Sequence, residues 1–194
     1  MDFYSVLDAG RSHYLQHYRA ALTRYREEFT PSAAEVTIER TGSKEPRPYC
    51  YYRLDLASGA VSPPNLTEVN IDPHTSLAPT VFEPRPGLRV TLSSFVWNGV
   101  EFVADAPPAD PSCIASWVEH WLDLNDAKPT DADGLAGVVH SVTSPSVDAN
   151  GWSFSVDFGS APVDAVRELL ARLHEAGLKT LRVGSFYLEK GSET

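Results

Sequence analysis

The strongest constraint on the fold lies in the last third of the chain. Residues 152–158 and 179–184 alternate between apolar and polar side chains, and this period of two predicts two strands that are each buried on one face. Between them, residues 162–176 repeat apolar side chains every three or four positions and stop before Gly177, which predicts an amphipathic helix. The sequence therefore predicts a strand, a helix and a second strand.

One-sided burial of these strands indicates the fold class. Strands of a doubly wound parallel sheet are apolar on both faces, whereas these two expose a polar face. We therefore expect an α+β open sandwich: a mixed, mainly antiparallel sheet with about three helices on one face. A protein of 194 residues, 42% of them hydrophobic, is the size of one domain, so residues 1–194 are predicted to form a single domain.

The first half of the sequence shows one helical and several strand patterns. An apolar stripe predicts a helix over 11–28, and alternation predicts strands over 35–40 and 49–57. Residues 88–103 are expected to form a hairpin around Asn98-Gly99, because this pair is typical of a type I′ turn with positive φ at both positions. Residues 58–87 contain six prolines, which predicts a long irregular loop.

The second half, residues 111–194, is predicted to be a helix followed by a β-β-α-β unit. Asp110 and Pro111 are typical of a helix start, and the apolar stripe that follows predicts a helix to about residue 124. A strand is expected over 136–143, and a turn at 148–151 leads into the strand at 152–158. The acidic segment between the helix and the first of these strands is expected to be a solvated loop.

Charge and composition exclude several classes of function. The formal net charge is −10, and such a surface repels phosphate backbones, so a nucleic-acid partner is not expected. The same charge would attract a basic protein. No run approaches 18 apolar residues, so no membrane partner is expected, and the first residues do not resemble a secretory leader. With only two cysteines, a cytoplasmic location is the simplest interpretation.

No complete catalytic, metal-binding or cofactor motif is present. The sequence has no GxSxG elbow, no phosphate-binding glycine loop and no HExxH pair, so we expect no metal and no cofactor. His120 and His140 are interpreted as structural histidines near the edge of the core. His74, in the proline-rich segment, is the histidine that an enzymatic alternative would use.

Two groups of residues are candidate partner contacts. Four carboxylates crowd an acidic loop at the end of the predicted second helix: Asp123, Asp126, Asp131 and Asp133. Tyr49 and Tyr51 fall on the polar side of the strand at 49–57, where they would either form an exposed docking patch, as exposed tyrosines often anchor interfaces, or be covered by residues 58–87.

These features favour a non-catalytic acidic module that binds a basic protein. In type, a small acidic α+β protein without a catalytic signature resembles the immunity proteins that bacteria keep against toxin domains. The resemblance implies a basic toxin or nuclease domain as partner. The alternative is a small-molecule-binding protein or enzyme with a pocket under residues 58–87. Solvent-facing carboxylates without a cleft would favour the first, and a pocket with converging polar groups the second.

Overall fold

The computed structural model describes residues 2–40, 42–59, 65–69, 77–149 and 151–185. Within these ranges three helices pack on a sheet of ten strands. The helices are α1 (Phe3–Glu28), α2 (Ala115–Leu122), which continues a 3-10 turn at Pro111–Ile114, and α3 (Val163–Glu175). The strands are β1 (Ser32–Glu39), β2 (Tyr51–Ser58), β3 (Asn65–Thr67), β4 (Thr80–Arg85), β5 (Leu88–Leu92), β6 (Val100–Ala104), β7 (Ser141–Val142), β8 (Ser146–Asp148), β9 (Gly151–Asp157) and β10 (Thr180–Gly184).

The strands form one mixed sheet. Their order is β1-β2-β7-β9-β6-β10-β5-β4, with β3 beside β2 and β8 beside β9. Among the described strands, β10 and β5 are the one parallel pair. The predicted α+β fold with a mainly antiparallel sheet is therefore confirmed, and β7, β9, α3 and β10 follow one another as in the expected β-β-α-β unit, with the short, unpredicted β8 between β7 and β9.

A single hydrophobic core lies between the sheet and the helices. In β9, Trp152, Phe154 and Val156 are buried, while the serines between them are half-buried on the opposite face. Leu169 and Leu170 of α3 are fully buried in the same core. The hydrophobic effect, from apolar side chains buried between one face of the sheet and the helices, is the main contribution to the stability of this arrangement.

Helix α1 begins at Phe3 rather than at residue 11 as predicted. The Asp2 side chain accepts a hydrogen bond from the Ser5 backbone N–H (3.2 Å), which caps the helix start. Phe3 and Leu7 extend the buried stripe that Tyr14 and Tyr18 continue.

The predicted hairpin over 88–103 is wrong. β5 and β6 are not neighbours, because β10 lies between them and pairs with both. The connecting segment crosses the end of β10, where the Ser93 N–H donates to the Val183 carbonyl (2.9 Å). Neither Asn98 nor Gly99 has a positive φ, so no type I′ turn forms. Pairing of both strands with the distant β10 therefore outweighs the local turn preference of Asn98-Gly99.

The proline-rich segment 58–87 is more regular than predicted. β3 pairs with β2, and β4 pairs with β5 at the edge of the sheet. Pro84 lies in β4 at a register shift, a position where an edge strand tolerates a missing N–H donor.

The second half of the sequence follows the prediction with shorter elements. Asp110 accepts a hydrogen bond from the Ser112 N–H (2.9 Å), as expected for a cap, but α2 ends at Leu122. The strand expected over 136–143 is reduced to the two residues of β7. None of the helices in the described ranges is both long and apolar enough to cross a membrane.

Candidate functional site

The acidic loop is tied to the rest of the fold, not freely solvated. Asp123 is buried with a left-handed φ of 49° directly after α2. Its carboxylate accepts hydrogen bonds from the backbone N–H groups of Ala127 (3.1 Å) and Lys128 (2.9 Å). The expectation that Asp123 is solvated is therefore wrong, because its carboxylate completes the turn that ends the helix.

The other three carboxylates of this loop each have a basic partner. Asp126 lies 2.7 Å from the buried guanidinium of Arg53. Arg19 of α1 pairs with Asp131 at 3.2 Å and with Asp133 at 2.9 Å. These three side chains remain 42–68% exposed, and each already lies beside an arginine.

Tyr49 and Tyr51 do not form an exposed pair. Tyr49 precedes β2 and is buried in the core, where burial raises the pKa of its hydroxyl to about 12. Tyr51 is half-buried and lies under the Arg47 guanidinium, 4.9 Å from the ring centroid, while Arg47 donates to its hydroxyl. The expected placement of Tyr49 on a polar face is wrong, and His74 lies outside the described residues.

A buried cluster of ionisable groups lies between β1, β2 and the helices. It consists of Glu35, Arg53, Asp55 and His140, each no more than 6% exposed. Arg53 and Asp55 lie on the same side of the strand as Tyr51, the side that the alternation predicted to be polar, but α1 and the loop after α2 cover them. The Arg53 guanidinium donates to the carbonyls of Leu122 (2.7 Å), Glu35 (2.6 Å) and Asp123 (2.6 Å).

His140 lies between two carboxylates in this cluster. Its Nε2 is 2.9 Å from Glu35 Oε1, and its Nδ1 is 2.7 Å from Asp55 Oδ1. The contact with Asp55 is an ion pair that does not meet hydrogen-bond geometry. Burial alone lowers the pKa of His140, but Asp55, Glu35 and the charge of Asp157 outweigh it and raise the pKa to about 10. His140 is therefore an imidazolium at neutral pH.

Backbone geometry adapts to this cluster at two positions. Gly159 has a φ of +47°, and a Cβ there would lie 2.1 Å from the His140 ring. Glu35 has a φ of +53°, which is costly for a residue with a side chain. Close approach to the imidazole therefore explains the glycine, and carboxylate placement explains the strained glutamate.

The sheet divides beside this cluster, because β7 is only two residues long. Tyr52, Ser141 and Asp157 face one another across β2, β7 and β9. A cavity of about 470 Å³, here called the seam pocket, opens at this point. Its polar lining residues are Arg40, Tyr52, Arg53, Asp55, Glu68, Asn98, Ser141, Thr143, Ser155 and Asp157.

Asp157 lines the seam pocket with an unusual carboxyl group. Its residue is half-buried, not exposed as predicted, and it accepts a hydrogen bond from the Gly159 N–H (2.9 Å). Desolvation by burial, reinforced by the charges of Asp55 and Glu68, raises its pKa to about 7, although His140 opposes the change. Asp157 therefore exchanges a proton near neutral pH.

Two further acceptors share this end of the pocket. The Asn98 Nδ2 donates to the Val69 carbonyl (3.2 Å), but its buried Oδ1 has no donor among the described residues. The exposed Glu68 precedes Val69 in the sequence, and neither Glu68 nor Asp157 forms an ion pair within the described ranges. The part of the protein that the structure describes contains no group of three or more side chains arranged to hold a metal ion.

The pocket residues lacked a sequence signature because they come from six separate segments. The one available signal was the alternation of Arg53 and Asp55 in a strand rich in tyrosine, which marks a polar stripe but not its burial. Comparison of the sequence and structure with family models, with curated proteins and with solved structures finds no match.

Proposed function

We propose that this protein is a non-catalytic binding protein whose seam pocket receives a positively charged group of a basic partner protein. The observation that carries the proposal is the set of acceptors at one end of the pocket. Within the described ranges Glu68 and Asp157 form no ion pair, and Asn98 Oδ1 accepts no hydrogen bond. A lysine or arginine side chain of a partner would pair with the two carboxylates.

Electrostatics favour this pocket over the acidic loop as the contact. In the loop, Arg53 and Arg19 already pair with Asp126, Asp131 and Asp133. A partner would have to compete with those arginines, whereas a cation entering the pocket meets carboxylates without such pairs. The net charge of −10 would also speed the encounter with a basic protein.

The state of His140 supports binding more than catalysis. A general base needs a free lone pair, and both ring nitrogens of His140 face carboxylates while its pKa is raised to about 10. The imidazole is also only 1% exposed, so a ligand in the pocket would not reach it. We assign it a structural role behind the pocket wall.

A labelled tri-arginine peptide tests the proposal by fluorescence anisotropy. We expect Asp157→Asn combined with Glu68→Gln to weaken binding by roughly tenfold or more, since charge-assisted hydrogen bonds are each worth about 1.5–3 kcal/mol. Glu119→Gln, an exposed glutamate on α2, is the matched control for lost charge, and Asp133→Asn tests the acidic loop. If the pocket variant binds as tightly as the Glu119 control, the pocket is not the site.

A small molecule is the second candidate ligand, and the concave shape of the pocket favours it. A flat acidic patch suits a protein surface, whereas a cavity of about 470 Å³ with polar groups on several walls is typical of small-ligand sites. In both cases the ligand group at Glu68 and Asp157 would be a cation.

The immunity-type role is a narrower form of the first candidate, in which the basic partner is a toxin or nuclease domain.

A further inference from the structure

The seam pocket carries charges of both signs that form no ion pair within the described residues. The acidic end holds Asp157, Glu68 and the Asn98 acceptor. At the other end, the Arg40 guanidinium lies over the Tyr52 ring, 5.1 Å from its centroid, and forms no ion pair with any described residue.

Strand register places these two ends across the sheet from each other. Tyr52 pairs with Ser141, and Ser141 pairs with Asp157. Neighbouring strands are about 4.8 Å apart, so the backbones of Tyr52 and Asp157 are separated by roughly 10 Å. Ser141, between them, contributes a short hydroxyl group and leaves the space open.

Arg40 is suited to a carboxylate. A guanidinium presents parallel N–H donors that match the two oxygens of a carboxylate, and stacking on an aromatic ring orients it before a ligand arrives. Orientation in advance lowers the entropy lost on binding.

We infer that the seam pocket selects a ligand with a cation and a carboxylate on the same residue: an arginine or lysine with a free α-carboxylate. The guanidinium or ammonium group lies at Asp157 and Glu68, and the carboxylate lies at Arg40. This inference rests on the proposed function and narrows its ligand. Such a residue occurs as the free amino acid or as the C-terminal residue of a basic protein.

A matched pair of probes tests the two ends separately. Nα-acetyl-L-arginine has the free carboxylate, and Nα-acetyl-L-arginine amide has the same size and guanidinium without that negative charge. Binding is measured by chemical-shift titration of the ¹⁵N-labelled protein. We expect the wild type to bind the acid at least about fivefold more tightly than the amide, as one charge-assisted contact allows.

Variants assign the two charges to residues. Arg40→Gln should abolish the preference for the acid while leaving binding of the amide unchanged, and Asp157→Asn should weaken both probes. Arg24→Gln on the exposed side of α1 is the control for lost positive charge.

The outcomes separate this inference from the proposed function. Equal affinity of the wild type for acid and amide, with Asp157→Asn weakening both, would overturn the zwitterion inference and leave the cation site standing. No effect of Asp157→Asn on either probe would overturn both. If L-arginine binds more tightly than its acetylated form, the ligand is the free amino acid; the reverse order supports the C-terminal residue of a protein.

Discussion

Replacing His140 by glutamine should remove a pH-dependent part of the stability. His140 is 1% exposed and contacts Glu35 and Asp55 at 2.9 and 2.7 Å. Its pKa is raised from 6.5 to about 10, so folding favours the imidazolium. Because each tenfold change in proton affinity is worth about 1.4 kcal/mol, the linked stability is on the order of 5 kcal/mol.

The sign follows from the direction of this pKa change. A pKa raised by folding gives stability that is fully present below pH 6.5 and is lost as the pH rises through about 10. Between about pH 7.5 and 9.5 the free energy of unfolding of the wild type should therefore fall by up to about 1.4 kcal/mol per pH unit. Asp157, with a pKa of about 7, has largely lost its proton within that range and adds little.

Urea denaturation at half-unit pH steps measures this slope. We expect His140→Gln to be destabilised by several kcal/mol at pH 7, because Glu35 and Asp55 lose their charged partner, and to lack the steep fall above pH 7.5. His120→Gln, on the exposed side of α2, is the control and should retain it. If His140→Gln does not fold, the ¹⁵N shifts of the wild-type imidazole decide: a midpoint near pH 6.5 would refute the buried imidazolium.

Three further changes test the core, the glycine and the pocket carboxyl. Leu170→Ala should lower the free energy of unfolding by about 2–5 kcal/mol, as for a fully buried leucine; a loss below about 0.5 kcal/mol on urea denaturation would contradict its place in the core. Gly159→Ala should cost at least about 2 kcal/mol, since φ is +47° and the new Cβ would overlap the His140 ring; a neutral result in the same assay would show that the ring moves freely. Asp157 has a pKa raised above its ordinary 3.8, so it favours the folded state at low pH and progressively less up to about pH 7. Asp157→Asn should become relatively more stable than the wild type as the pH rises over this range, and a constant difference between the two stability curves would count against the raised pKa.

Local sequence patterns predicted the C-terminal unit well, because its signals lie within single elements. The alternation in β9 and the apolar stripe of α3 each fix which side chains face the core. A glycine stop also matches the structure, since Gly177 has a φ of +99° just after the helix. These features depend on neighbours a few residues apart, so one sequence suffices to find them.

The hairpin prediction failed because strand pairing is not local. Asn98-Gly99 lies between two strands that each prefer β10 as a neighbour, about 80 residues later in the sequence. Leu88, Val90 and Leu92 share the core with Phe102 because the two strands are separate neighbours of β10. Insertion of a distant strand cannot be predicted from a turn dipeptide.

The candidate site was missed for a related reason. Arg53 and Asp55 alternate with apolar residues, a pattern typical of a solvent-exposed strand face, but both are buried. Burial of their charges is costly unless partners from distant segments of the sequence pair with them. Glu35 contributes a contact from β1, and His140 contributes one from the residue before β7. Composition likewise identified the acidic loop but could not show that Arg19 pairs with it.

Asp55 links the stability of the fold to the shape of the pocket. One carboxylate oxygen contacts His140, and the other accepts the backbone N–H of Val69 at 2.5 Å. The Val69 carbonyl in turn accepts from Asn98, so the buried cluster holds both Glu68 and Asn98 at the acidic end. A substitution at Asp55 would therefore change folding and ligand binding together. Glu68, Asp157 and Arg40 take no side-chain part in the Asp55–Val69–Asn98 hydrogen bonds. Substitutions at these three positions are therefore expected to change ligand binding without removing the contacts that shape the pocket.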